Sequence, residues 1–472
     1  MNNKISHFIK NMSYTFSSNL ISLLVSTLVI LIIPKLIGLE GYGYFQLYMF
    51  YSSYVGFMHF GWNDGIYLRY GGDEYKDLNK KLFFSQFIML LISQVSIALI
   101  IWFASNLFIT NFDRSYIIKM VAISLIILNM STMLLFILQA TNHIKEYAKI
   151  TMADRVIYIS LVITFLLFGI RDYKILIIAD LIGKGLSLTF AIVSCKEIVI
   201  NKLRDFHLNF KEMFININVG IKLMIANIGS ILIIGIVRFG IEINWDVATF
   251  GKISLTLSIS NMTMIFINAV GIILFPLLRR TNKDKLSDIY TVMRDFLMIF
   301  LLGVLIIYYP LRVLLSGWLP QYSGSFIYMS LLFPMVVFEG KMALLINTYL
   351  KTLREEKTML LINVIIMLLS LVLTFITTKL FNNLDSTVFI IVVLLAIRAV
   401  VSELFLAKKI KINIKKDIIY EIIIITIFIS SGWFINSIYS MLLYGLAYLG
   451  YIILKRKDIK YTFESMKKLM KA

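Results

Sequence analysis

Four polar residues on one face of a long apolar run are the first candidates for chemistry in this chain. They are Lys252, Thr256, Ser260 and Thr263. A helix turns about 100° per residue, so these side chains project within about 80° of one another. An ionisable residue inside a membrane is costly and usually faces an aqueous cavity or a partner. We interpret the stripe as a cavity face that binds an anion. The alternative is hydrogen bonding between packed helices, with Lys252 reaching the outer interface.

Further basic residues occupy other apolar runs. Lys341 lies near the middle of its run, just after Glu339, and is hard to explain by snorkelling to an interface. Lys222 lies near the inner end of its run and Arg238 near the outer end, so snorkelling is a real alternative for both. Several lysines offer point charges that can bind and release an anion. We therefore predict that these residues contribute to the same cavity.

Three tyrosines follow helical spacing in the second apolar run. Tyr44, Tyr48 and Tyr51 are separated as i, i+4 and i+7. At an offset of 208 residues they correspond to the stripe that begins at Lys252. Their flat apolar faces and hydroxyl groups suit sugar rings, and we predict that they line a glycan cavity. The alternative is an interfacial aromatic belt with helix packing.

The second run closes with a group suited to gating. His59 and Asp64 lie at its inner end, and Arg69 follows. Such a pair could take part in a proton-coupled step. We favour the alternative, an interfacial cap with a salt bridge at an inner gate.

Two pairs of opposite charge lie within single apolar runs. Asp180 and Lys184 are four residues apart, the spacing of an ion pair on one helix face. We keep them as candidates for coupling and favour a structural ion pair. Arg398 and Glu403 are predicted to form a similar pair in their own run.

Membrane-crossing helices must position all of these residues. Hydrophobic residues make up 59% of the chain and charged residues 15%, outside the usual range of soluble domains. A run of about 20 apolar residues spans a hydrocarbon core of about 30 Å, and about fourteen such runs occur. We place them near 16–38, 43–66, 81–105, 115–139, 148–170, 173–195, 217–240, 248–276, 292–315, 325–349, 358–380, 385–407, 418–435 and 438–454. The sequence therefore predicts an all-α polytopic membrane protein.

The basic residues predict the orientation of these spans. With a cytoplasmic N-terminus, roughly 33 Lys and Arg residues fall in inner connections and 7 in outer ones. Both termini are therefore expected in the cytoplasm. The net charge of +19 sits in short loops between apolar runs, so we expect no nucleic-acid partner. The first run is too long for a cleaved signal peptide.

A weak internal repeat predicts two halves of six spans each. Asn19–Ser22 in the first span and Asn227–Ser230 in the seventh share an Asn-x-x-Ser pattern, 208 residues apart. Two further weak matches fall at or near the same offset. The expected divisions are 1–195 (N-terminal lobe), 196–216 (a cytoplasmic linker helix), 217–410 (C-terminal lobe) and 411–472 (two added spans and a basic cytoplasmic tail).

Several short motifs resemble those of a known family. They are Asn19–Ser22, Gly41–Phe45, Gly61–Arg69 and the Gln139–Tyr147 turn. With these motifs the chain resembles bacterial O-antigen, capsule and teichuronic-acid flippases of the multidrug/oligosaccharidyl-lipid/polysaccharide exporter superfamily. The resemblance implies two six-helix lobes in a V in the cytoplasmic membrane. It also implies alternating access for a polyprenyl-diphosphate-linked oligosaccharide. Membrane lipids, and a glycan polymerase and glycosyltransferases of the same pathway, are the implied partners.

The absence of several sequence motifs argues against catalytic and metal-binding functions. The chain has no nucleotide-binding phosphate loop and no nucleophile elbow, and its four histidines are scattered. We therefore expect no enzyme activity, no cofactor and no metal site. The main alternative is an ion-coupled multidrug or metabolite antiporter of the same fold. A membrane glycan polymerase is a further alternative, disfavoured by the short loops.

Overall fold

Helices make up most of the part of the chain that its structure describes. The computed structural model describes the backbone of residues 2–279, 286–435, 437–461 and 464, and the side chains of residues 20–262, 264, 286–435, 437–461 and 464. Within these residues no β-strand occurs. The predicted all-α fold class is confirmed.

Most of the helices are long enough to cross a membrane. Among the described residues, eleven qualify by length and composition. Helix α1 (Asn2–Val55) counts once, although 54 residues of helix extend about 80 Å, far more than one crossing needs. Gly38 interrupts it at φ 75° and ψ 177°, a conformation that favours glycine. Three further segments are candidates for spans: the part of α1 after Gly38, α9 (33 residues) and α18 (17 residues). With these three, the eleven spans would become the fourteen that the sequence predicts.

The N-terminal half forms one of two compact units, Met1–Ile228. Its main contacts pair α3 with α4 and α5 with α6, and α1 packs against α4 and α5. The helices are α1, α2 (Trp62–Arg69), α3 (Lys80–Phe108), α4 (Phe112–Ala140), α5 (Ile144–Leu167), α6 (Tyr173–Ser194), α7 (Lys196–Val199) and the first half of α8 (Phe210–Asn244).

The second unit, Gly229–Ala472, contains more interrupted helices. Two π-helical turns, Met342–Ile346 and Ile376–Leu380, break the regular α-helix, and such turns are frequent at functional sites. The helices are the rest of α8, α9 (Val247–Arg279), α10 (Leu286–Val304), α11 (Tyr308–Trp318), α12 (Tyr328–Leu332), α13 (Met335–Lys341), α14 (Asn347–Thr352), α15 (Glu356–Phe375), α16 (Leu384–Lys409), α17 (Lys415–Phe434) and α18 (Ile438–Leu454).

Burial follows the pattern of a protein surrounded by hydrocarbon. Ile100, Phe103 and Leu107 form an exposed apolar face on α3. Polar Gln94 on the same helix and Asn129 on α4 are instead buried, where they can bond to each other and to the backbone. In a lipid bilayer, apolar side chains face the lipid, and polar side chains lie inside the protein, where they form hydrogen bonds.

The predicted linker helix over 196–216 is not continuous. Helix α7 ends after one turn, because the Asn201 side chain donates to the carbonyl groups of Glu197 and Ile198. The chain then crosses to α3, where the backbone N–H of His207 donates to the Ser85 hydroxyl at 3.0 Å. The last residues of the segment already belong to α8. The predicted segment therefore consists of a short helix, a 3₁₀ turn over Leu203–Asp205, an extended stretch and the start of α8.

Candidate functional site

The gating candidates lie at a built-in break between α1 and α2. Helix α1 ends at Val55, and α2 begins after Gly61, whose φ is 84°. The Asn129 amide donates to the Val55 carbonyl at 3.0 Å, and the Gln94 amide donates to the Met58 carbonyl at 3.2 Å. Unpaired backbone groups at a helix break are costly inside a membrane unless side chains satisfy them. The break is thus a supported part of the fold.

Glycines let α2 approach α8 with no room for a side chain. A Cβ atom at Gly65 would lie 1.9 Å from the carbonyl oxygen of Asn216. One at Gly220 would lie 2.0 Å from the carbonyl oxygen of Gly61. Real carbon–oxygen contacts are about 3.3 Å or longer, so only glycine fits while the helices are in contact. We call this contact, formed by Gly61, Gly65, Asn216 and Gly220, the α2–α8 clasp.

Arg69 closes one end of the clasp. Its guanidinium lies 2.5 Å from the Glu212 carboxylate and donates to the Asn216 side-chain oxygen. The Tyr70 hydroxyl donates to the same carboxylate at 2.9 Å. Burial, and next the bond to Glu212, raise the pKa of Tyr70 to about 12, so the hydroxyl keeps its proton at neutral pH. Arg69 therefore has the salt bridge that suits a gate.

His59 and Asp64 come together beside the clasp. The His59 Nε2 atom lies 3.7 Å from the Asp64 carboxylate, and both residues are buried. This distance is longer than a hydrogen bond. The Nδ1 atom of His59 accepts a bond from the backbone N–H of Gly61 at 3.1 Å, so the ring also helps to hold the helix break.

The second coupling candidate is a buried cluster on α1 and α6. The Asp180 carboxylate lies 2.5 Å from the Lys184 ammonium group, as their spacing predicts. The Tyr48 hydroxyl donates to the same carboxylate at 2.6 Å. Tyr44 is also buried and stacks on Tyr173 with ring centres 5.1 Å apart. Of the three tyrosines predicted to line a cavity, these two are held by neighbours within unit 1.

The third of these tyrosines differs from the other two. Tyr51 is only half-buried. Its ring centre lies 5.4 Å from that of Phe50. Tyr51 therefore keeps part of its surface for other contacts.

The stripe on α9 is largely satisfied by its own helix. The Thr256 hydroxyl donates to the Lys252 carbonyl and the Ser260 hydroxyl to the Thr256 carbonyl. Both hydroxyl residues are fully buried, whereas Lys252 is only half-buried. The side chain of Thr263 lies outside the described residues. Of the three described members of the stripe, Lys252 keeps exposed surface that a ligand could contact.

Arg238 and Lys222 lie on α8, one in each unit. Arg238 is half-buried, donates to the Ser254 hydroxyl at 3.0 Å and lies over the Phe250 ring. Lys222 is exposed and lies two residues after Gly220 of the clasp. The two cations keep exposed surface in the structure.

Lys341 lies in a buried ion-pair network instead of on an open face. Its ammonium group contacts the Glu403 carboxylate and lies 2.6 Å from that of Glu421. Arg294 contacts the same two carboxylates at 2.7 and 2.5 Å. All four residues are buried. The contribution of Lys341 to the cavity stays a prediction, and in this conformation Glu403 and Glu421 already match its charge.

The network continues into the C-terminal helices. Lys455, which follows α18, lies 2.8 Å from Asp417 on α17 and 3.1 Å from Asp295 on α10. Charge pairing thus joins α17 and α18 to α10, α13 and α16. Removing one partner of a buried pair is strongly destabilising. The added helices are therefore structurally tied to unit 2.

Arg398 pairs outside its own helix. It lies 2.8 Å from the Glu339 carboxylate and donates to Asn363 and Ser230 at 2.9 and 3.0 Å. The predicted pairing with Glu403 is wrong, because Arg294 and Lys341 occupy that carboxylate. Arg398 instead connects α8, α13, α15 and α16.

Solved structures with the same fold are membrane transporters. An inward-closed structure of the lipid II flippase MurJ aligns over 96% of this chain and 100% of that chain, with 15% identity and a TM-score of 0.65. An inward-facing multidrug resistance MATE family transporter aligns over 83% and 98%, with 12% identity and a TM-score of 0.63. The chain has the fold of MOP-superfamily transporters. An outward-facing MATE family transporter aligns over 86% and 95%, with 15% identity and a TM-score of 0.56. No protein-family model matches the sequence, and no curated protein matches it.

Proposed function

We propose that this protein is a flippase for a polyprenyl-diphosphate-linked oligosaccharide. It moves the lipid from the inner to the outer leaflet of the bacterial cytoplasmic membrane by alternating access, for cell-surface polysaccharide biosynthesis. Glycosyltransferases would supply the substrate inside, and a glycan polymerase would consume it outside. The observation that carries the proposal is the fold similarity to a lipid II flippase over 96% of the chain.

The extent of that similarity supports a lipid-linked substrate. The MATE family alignment covers 83% of the chain, and the 13% difference corresponds to about 60 of the 472 residues. This is the length of the segment 411–472, which contains α17 and α18. We propose that α17 and α18, which buried charges tie to the body, account for this difference.

The distribution of charge disfavours the antiporter alternative. A site for cationic drugs needs carboxylates without a counter-charge. Among the described residues, six carboxylates within the predicted spans each lie within 4 Å of a Lys or Arg, and Asp64 lies 3.7 Å from His59. The six belong to Asp154, Asp180, Asp295, Glu339, Glu403 and Glu421. Arg238 on α8 and Lys252 on α9 are half-buried cations that suit an anionic substrate, because a diphosphate cannot be desolvated without counter-charge.

The geometry divides the predicted site into two groups. Lys222, Arg238, Lys252 and Tyr51 retain exposed surface, and we propose them as substrate contacts. We assign the other predicted residues to the support of the two units and of the gate. They are Tyr44, Tyr48, Asp180, Lys184, Thr256, Lys341, His59, Asp64 and Arg69.

We propose that the α2–α8 clasp is the inner gate. It would open to admit the glycan and diphosphate while the lipid tail stays in the bilayer, and close before the outer side opens. The glycines allow close contact, and the Arg69–Glu212 pair stabilises it. No covalent step is needed.

Transport in proteoliposomes tests the assignment of the contacts. The substrate is a fluorescent polyprenyl-diphosphate oligosaccharide, and the variants are Lys252→Gln and Lys252→Arg. We expect at least about tenfold slower translocation for the first and near-normal rates for the second, since a charge-assisted bond contributes about 1.5–3 kcal/mol. Lys379→Gln, at an exposed residue, is the matched control. Equal rates for Lys252→Gln and the control would remove Lys252 from the site.

A further inference from the structure

A groove of about 990 Å³ lies in unit 2, and none of the proposed contacts lines it. Its walls are α11, the 3₁₀ turn Pro320–Ser325 and the first turn of α18. Arg312 is one of the few basic residues on the side that the charge distribution predicts to be outer. The groove therefore opens toward the predicted outer leaflet.

Arg312 brings a positive charge to the groove that no described carboxylate balances. Its Nη1 atom donates to the Tyr308 hydroxyl at 3.1 Å and points to the Gly432 carbonyl at 3.5 Å, and both partners are neutral. No carboxylate of the described residues lies within 4 Å of it. A guanidinium carries five N–H donors, so most of them remain available to an anion.

The rest of the lining is amphipathic. Val313, Leu314 and Ile438 are 73%, 70% and 68% exposed. The hydroxyl residues Ser316 and Ser323 line the same groove. A fork of charged donors with nearby hydroxyls suits phosphate oxygens, and the exposed apolar side chains suit a hydrocarbon tail.

We propose that this groove binds the lipid diphosphate of the glycan once it has reached the outer leaflet, with Arg312 as the counter-charge. The groove is then a site from which product leaves, separate from the contacts on α8 and α9. This inference rests on the proposed function.

Native mass spectrometry of the full-length protein tests the site directly. The protein is titrated with undecaprenyl diphosphate, and separately with phosphatidylglycerol and inorganic pyrophosphate. We expect saturable binding of the first, at least about tenfold weaker in Arg312→Gln and within about threefold of wild type in Arg312→Lys. Arg171→Gln, at an exposed residue of a predicted outer connection, is the matched control.

A second variant separates loss of the site from loss of the fold. Ser323→Trp places a large ring in the groove at an exposed residue and leaves Arg312 and its bonds in place. It should also weaken binding, with an unchanged melting temperature. Wild-type affinity in Arg312→Gln would overturn the proposal. Equally tight phosphatidylglycerol binding that competes with the diphosphate would overturn it in favour of a phospholipid site.

Translocation by the same variants distinguishes this inference from the proposed function. Wild-type protein that translocates the glycan but binds diphosphate independently of Arg312 would refute only the groove. Wild-type protein that binds diphosphate through Arg312 but translocates no glycan would refute the flippase and with it the role of the groove in product release.

Discussion

Replacing Gly65 by alanine should weaken the α2–α8 clasp. The new Cβ would lie 1.9 Å from the Asn216 carbonyl oxygen, so the backbones must separate by about 1.4 Å to reach an ordinary contact. The 2.5 Å contact between Arg69 and Glu212 would then exceed hydrogen-bonding distance. Overpacking costs about 1–3 kcal/mol, which shifts a two-state equilibrium about 5- to 150-fold.

Cysteine labelling measures this shift. Ile217→Cys places a thiol at a half-buried position of α8, and the native Cys195 is buried. With a membrane-impermeant maleimide on the cytoplasmic side, Gly65→Ala should raise the labelling rate at least about fivefold. Gly185→Ala is the control, since a Cβ there meets nothing within 4 Å. Equal rates in both variants would refute the clasp as a gate.

Four further substitutions probe the buried polar groups by thermal unfolding. Lys341→Met should destabilise the protein by about 3–5 kcal/mol, and adding Glu403→Gln should restore part of the loss, since one uncompensated carboxylate is removed. Additive losses in the pair would contradict the network. Asn129→Leu should cost about 1–3 kcal/mol, because it leaves the Gln94 side-chain oxygen without its donor, while the Val55 carbonyl keeps its bond from the Met58 N–H; an unchanged melting temperature would show that the Asn129 side chain does not stabilise the break. Asp180→Asn should cost less than Lys341→Met, because the side chain of Lys184 is 16% exposed and that of Lys341 is only 4% exposed; a larger cost would show that Asp180 contributes more to stability than the buried network does.

Features that depend on local sequence could be predicted. The apolar runs predicted the helical fold, and Gly38 ends the first predicted span where the backbone leaves the helix. The pair Asp180–Lys184 forms because residues four apart share a helix face.

Features that depend on packing between distant segments could not be predicted. Lys341 looked like a free cation because its partners Glu403 and Glu421 are 62 and 80 residues away. The same holds for Arg398, whose partner Glu339 lies 59 residues away. The helical wheel also placed Tyr48 on a cavity face, but Asp180 of another helix occupies its hydroxyl. Periodicity identifies a polar face without saying whether water or a neighbouring helix covers it.

The sequence indicated only one side of the α2–α8 clasp. Gly61 and Gly65 belong to the Gly61–Arg69 motif, and glycines four residues apart permit close packing between helices. Nothing local identifies Gly220 as the opposing surface, since 155 residues separate it from Gly65. Arg312 carried a similar signal as one of the few cations on the predicted outer side, yet its groove forms only when α11 meets α18.

Glycan exposure by the purified protein alone tests the central claim most directly. Sealed proteoliposomes loaded symmetrically with a fluorescent polyprenyl-diphosphate oligosaccharide are treated with an impermeant glycosidase. Without protein, about half of the glycan lies on the inner leaflet. It should stay protected from the glycosidase, because the polar glycan crosses hydrocarbon slowly. The account predicts that active protein renders nearly all of it cleavable, and that Gly65→Ala changes the rate. Protection at half in the presence of folded protein, with uptake of a cationic dye instead, would contradict it.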